Sequence, residues 1–181
     1  MTKVLIVSGS PARVSRTSAL ASFIHKELSD KGHEVEFLSL RDLPADALVH
    51  AQFNDPSIQA SQTLVEQAEA LIVLSPVYKA SYPGILKSFF DLIPEKGLEA
   101  KKVLPIATGG TIAHLLSLEY SFKPLFSVLG AREVPQGVYI VDSQLSYVEN
   151  DITFIEEEIK LRIQSAIDDV SGNRSEKIQS R

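Results

Sequence analysis

The chain has 181 residues, 18 Lys+Arg against 23 Asp+Glu for a formal net charge of −5, and no cysteine. This acidic balance disfavours a nucleic-acid footprint, and the missing thiols exclude disulfides and thiolate chemistry. No apolar run reaches the length of a membrane span, and the four histidines (25, 33, 50 and 114) are scattered without ligand spacing, so neither a membrane nor a metal is expected.

Length and an apolar content of 44% fit one domain over residues 1–170 with a full-sized core, followed by a polar, flexible tail over 171–181. Met1-Thr2-Lys3 runs straight into an apolar stretch and leaves no room for a signal peptide, so a cytoplasmic location is expected. Residues 3–8 read as a buried strand and 16–31 as a helix with Leu20, Phe23, Ile24 and Leu28 on one face, ended by Gly32. Residues 34–40 alternate like an edge strand, 41–56 are an irregular excursion with two prolines, and 57–68 is a helix candidate. The continuous run 70–75 predicts a central parallel strand. A short helix follows over 83–93, then a strand over 102–108, an almost wholly apolar helix over 114–129, a fifth strand over 133–141 and a closing helix over 147–170. Strands alternating with helices in this way predict a flavodoxin-like, doubly wound α/β fold with a five-stranded parallel sheet in the order 2-1-3-4-5. A ligand then sits outside the carboxyl ends of the strands, at the switch point between strands 1 and 3.

Three loops leave the sheet at that end. The first follows Gly9 and carries Ser10, Ser15, Thr17 and Ser18 with Arg13 and Arg16 at the start of a helix, where free amides and the helix dipole favour an anion. Neither G-x-x-x-x-G-K-[ST] nor G-x-G-x-x-G is present, so the loop suits one terminal monophosphate; an ordinary capped βα turn is the plainer alternative. The second loop, Pro76-Val77-Tyr78-Lys79 and onward to Pro83-Gly84, can hold a flat ring against rigid backbone, unless its tyrosines only pack. The third, Thr108-Gly109-Gly110-Thr111, offers close backbone approach and free φ values, or is simply a turn.

Together, Gly9-Ser10-Pro11, Ser15-Arg16-Thr17-Ser18, Ser75-Pro76-Val77-Tyr78, Leu86-Lys87 with Asp91, and Thr108-Gly109-Gly110 resemble the NADPH-dependent FMN reductase family. Leu104 to Leu116 is most similar to the flavin reductase of two-component alkanesulfonate monooxygenases. The resemblance implies FMN and NADPH as cofactors, with the FMN phosphate in the residue 10–18 loop. It places the isoalloxazine against Pro76 to Lys79 and its pyrimidine side at Thr108 to Thr111. It also implies hydride transfer from the nicotinamide to FMN N5 without a catalytic side chain, and supply of reduced flavin to a partner monooxygenase in sulfur acquisition. Alternatives on the same fold are an FMN-containing quinone, azo-dye or chromate reductase and a flavodoxin-like electron carrier, though such carriers are usually far more acidic. The choice of NADPH over NADH stays open.

Pro124 inside the 114–129 helix removes the donor for the Tyr120 carbonyl, which predicts a π-type bulge around Tyr120. The resembling subgroup has such a bulge at a subunit interface. That implies a tetramer, a dimer of dimers, with Tyr120 near a flavin site and able to act in flavin exchange.

Overall fold

The computed structural model describes residues 1–149 and 151–172. Its main sheet has five parallel strands in the order β2-β1-β3-β4-β5, formed by β1 (Lys3–Ser8), β2 (Glu34–Ser39), β3 (Ala70–Pro76), β4 (Lys102–Gly109) and β5 (Val138–Val141). The apolar runs of β1, β3 and β4 lie in the middle, where helices cover both faces and alternation is not needed. Successive strand residues feed two separate cores. Leu5, Val7, Leu71, Val73 and Val103 pack on the face of α2 (Ala45–Val49), α3 (Pro56–Gln67), α4 (Gly84–Phe90) and α5 (Lys123–Val128). Val4, Ile6, Ile72, Leu74 and Leu104 pack on the opposite face, under α1 (Arg16–Asp30) and α6 (Glu157–Ser171). The flavodoxin-like expectation is met in strand order and layering.

Helix ends follow their local chemistry. Ser15 caps α1, its hydroxyl accepting from Ser18 N–H at 3.1 Å. Asp55 caps α3 ahead of Pro56, and Gly172 closes α6 at φ 80°. At the carboxyl edge, Pro76 pairs in register with Thr108, Gly9 N–H donates to the Leu74 carbonyl at 2.8 Å, and Val77 N–H to the Thr108 carbonyl at 2.8 Å. These bonds set the three loops side by side.

Four expectations are corrected. The excursion after β2 contains a 3₁₀ turn (Leu40–Asp42) and the short α2. The fifth strand is confined to Val138–Val141; Pro135 cannot donate to the ladder, and Glu133 keeps only an isolated parallel bridge to Lys102. The closing helix begins at Glu157, and Tyr147 lies in an antiparallel hairpin of β6 (Leu145–Val148) and β7 (Asp151–Phe154). The β-branched and aromatic residues Tyr147, Val148, Ile152, Thr153 and Phe154 there favour strands over a helix. The stretch 114–129 is three pieces: a 3₁₀ turn over Ile112–His114, a π segment over Leu118–Phe122, and α5.

In the π segment, Lys123 N–H reaches the Leu118 carbonyl five residues back, one residue ahead of Pro124. The wider register accommodates the missing proline donor, as the sequence predicts. Leu118, Phe122, Leu125 and Phe126 fill the core, while Leu115, Leu116, Tyr120 and Val128 face outward; Tyr120 is 78% exposed. Of the predicted tail, Ser171 ends α6 and Gly172 caps it, and 173–181 lie outside the described residues.

Candidate functional site

The loops after β1, β3 and β4 enclose one open cleft of about 270 Å³. Ser10, Ser15, Arg16 and Thr17 come from the first loop, Pro76, Val77 and Tyr78 from the second, and Thr108, Gly109 and Gly110 from the third. Each loop is shaped by a different set of contacts. In the first, Ser10 is only 3% exposed; its hydroxyl accepts from Ala12 N–H at 3.2 Å and donates to the Ala12 carbonyl at 3.3 Å. Ser18 Oγ donates to the Arg13 carbonyl at 3.1 Å, and Arg41 Nε to the Pro11 carbonyl at 3.1 Å. Thr17 is 1% exposed. Hydroxyls, the amides at the start of α1 and Arg16 therefore line one cleft, a donor set that fits a phosphate.

The second loop is strained. Tyr78 and Ser81 exchange both backbone hydrogen bonds, at 2.7 and 3.1 Å, around a two-residue turn. Its central residues, Lys79 (φ 49°) and Ala80 (φ 68°), both lie in the left-handed region that normally calls for Asn or Gly. In the third loop the glycines are needed for space, not for φ: neither Gly109 nor Gly110 has a positive φ. A Cβ on Gly109 would collide with the Tyr139 hydroxyl, which instead passes over the glycine to donate to the Thr111 carbonyl at 2.8 Å. A Cβ on Gly110 meets nothing nearer than the Asp142 carboxylate at 4.0 Å, so that position opens toward the cleft. Burial raises the Tyr139 phenol above the ordinary tyrosine range, and the Asp142 charge adds to the shift.

Four predicted residues do not line the cleft. Arg13 points into solvent, 4.0 Å from Asp42. Ser18 is turned onto the first loop, and Lys79 occupies the outer turn. Thr111 accepts from Ala113 N–H and caps the 3₁₀ turn. Tyr120 also lies outside the cleft wall. Lys87 and Asp91 pair at i, i+4, and the hydrogen bond that Lys87 Nζ donates to Asp91 raises the pKa of the Lys87 ammonium. Sequence reasoning missed Ala12, Val14, Asp142 and Tyr147 as cleft residues. Asp142 directly follows β5, at the same sheet edge as the three loops, which was the one available signal.

The family model described as NADPH-dependent FMN reductase matches residues 2–146. The chain belongs to that family. Its members are oxidoreductases that use FMN and NADPH, and the match spans all three loops of the cleft. An FMN reductase (NADPH) of Pseudomonas putida is 49% identical over 146 residues, 81% of this chain and 74% of that one. An NADH-dependent FMN reductase, SfnF, of Pseudomonas fluorescens is 39% identical and covers 91% and 87% of the two chains. Among solved structures, the apo form of an NADH:FMN oxidoreductase (EMOB) superposes with a TM-score of 0.85 at 31% identity, covering 98% of this chain and 92% of that one.

Proposed function

We propose that the cleft binds FMN with its phosphate at Ser10, Ser15, Arg16 and Thr17, and that the chain reduces FMN with NAD(P)H and releases it. The observation that carries this reading is the convergence of three loops, distant in sequence, on one cleft whose hydroxyl-lined corner lies at the N-terminus of α1. When bound, the flavin ring supplies the hydride chemistry. The protein's part is placement. Pro76 and Val77 form a stiff wall for a planar ring, anchored by the bond from Val77 N–H to the Thr108 carbonyl. The Gly109–Gly110 backbone, kept bare by the Tyr139 hydroxyl, brings amide donors close to the ring edge.

Release of reduced flavin to a monooxygenase of the alkanesulfonate type, in a cytoplasmic sulfur pathway, extends this reading on the strength of the sequence resemblance. Self-association through the outward apolar residues Leu115, Leu116, Tyr120 and Val128 extends it further, toward a dimer of dimers. Light scattering on the native protein and on Tyr120→Ala tests that extension; a monomeric native protein refutes it.

The phosphate assignment is tested by titrating FMN and riboflavin into the native protein and a Ser15→Ala/Thr17→Ala variant. Each lost hydrogen bond to a charged group costs about 1.5–3 kcal/mol. FMN affinity should fall about a hundredfold or more while riboflavin changes little; an equal loss for both flavins overturns the assignment.

A further inference from the structure

Arg16, the first residue of α1, does not point freely into the cleft. Its Nη1 lies 3.4 Å from Oδ2 of Asp142, and its guanidinium carbon lies 5.5 Å from the centre of the Tyr147 ring. Arg16 and Asp142 side chains are 35% and 37% exposed, so both remain reachable from the cleft they line. Arg16 Nε is buried with no hydrogen-bond partner among the described residues, so the guanidinium relies on its outer edge for charged contacts. The carboxylate thus meets the same attractors that suit a phosphate here: the Arg16 cation and the positive end of α1. Asp142 arrives from the end of β5 and Tyr147 from β6, both outside the three loops.

We propose that Asp142 is a built-in competitor for the flavin phosphate: it holds Arg16 when no phosphate is bound, must surrender it on binding, and so keeps flavin affinity low enough for release. Tyr147 is a positioning residue that fixes the guanidinium plane by ring contact. The inference rests on the phosphate assignment above. Once a dianionic phosphate takes Arg16, the Asp142 carboxylate remains beside it as a like charge and favours departure.

The experiment is a pair of titrations, FMN and riboflavin, followed by flavin fluorescence on the full chain, together with the FMN dissociation rate by dilution. Asp142→Asn should tighten FMN about fivefold and slow its dissociation by a similar factor, with riboflavin within about twofold of native. Asp142→Ala should repeat the result, which separates the charge from any packing role. Tyr147→Ala should reduce the preference for FMN over riboflavin, and Tyr147→Phe, which keeps the ring, should restore it; a purely structural role would weaken both flavins equally. An Asp142→Asn protein with an unchanged or lower FMN preference overturns the inference. If the Ser15→Ala/Thr17→Ala variant in that case loses FMN affinity but not riboflavin affinity, only the competitor role fails; if it weakens both flavins equally, the phosphate assignment fails with it.

Discussion

The two ends of the sheet carry clefts of opposite character. At the amino edge, a cleft of about 530 Å³ lies between α3 and the segment leading into β4, lined by Gln62, Glu66, Ile93, Lys96 and Lys101 among others. At the carboxyl edge the cleft is about half that size, near 270 Å³. The larger one has its chief cation already committed: Lys101 Nζ donates to the Glu66 carbonyl at 2.8 Å and the Ala68 carbonyl at 2.7 Å, closing the end of α3. Burial pushes that ammonium below its ordinary range, as expected for a group serving structure. In the smaller cleft, a helix N-terminus, a bare glycine pair and an arginine held by a displaceable carboxylate face one another. What distinguishes a site is convergence of donors with work still to do, not volume.

This contrast can be broken most sharply at Gly109. Gly109→Ala drives a methyl group into the Tyr139 hydroxyl, and should cost about 1–3 kcal/mol of stability and about tenfold or more in FMN affinity. Unfolding curves and flavin titration check it; a variant that binds FMN normally removes the third loop from the site. Lys101→Met tests the other end. Two carbonyls lose their donor, for about 1–2 kcal/mol of stability, while FMN affinity should stay native. A large change in FMN affinity would show that the two ends are not independent.

The smallest effect belongs to Tyr139→Phe. Near neutrality the lost bond to Thr111 should cost about 1 kcal/mol. The native phenol holds its proton more tightly than the unfolded one, so above pH ~10 the native state binds more protons and loses stability as pH rises. Tyr139→Phe lacks that penalty. Its deficit should therefore shrink in alkaline denaturation series, and a constant deficit would contradict the upward shift.

The fold was legible where burial is two-sided. β1, β3 and β4 read as unbroken apolar runs because both faces are covered, and Pro124 announced the π segment because it deletes one known donor. The β6–β7 hairpin was not legible. Among the described residues of its two strands only Leu145 is buried, so its alternation is faint and merges with the amphipathic pattern of α6. The same reason hid half of the charge network. Ser10, Ser15 and Thr17 announce themselves within one loop, whereas Asp142 and Tyr147 reach Arg16 only through tertiary structure, with no local motif around them. In the third loop the glycines were visible, but their reason was not: Tyr139, thirty residues away, sets the requirement for space.

The turn at Lys79 and Ala80 bears on the order in which the structure can form. Each left-handed residue other than glycine costs about 1–2 kcal/mol relative to its relaxed state, so this stretch would not take up its native shape as an isolated peptide. The shape is imposed by the Tyr78–Ser81 bond pair and by the anchoring of Val77 on β4. The turn beside the cleft is therefore held by its hydrogen bonds against its own backbone preference, and it takes shape only once β4 is there to anchor it.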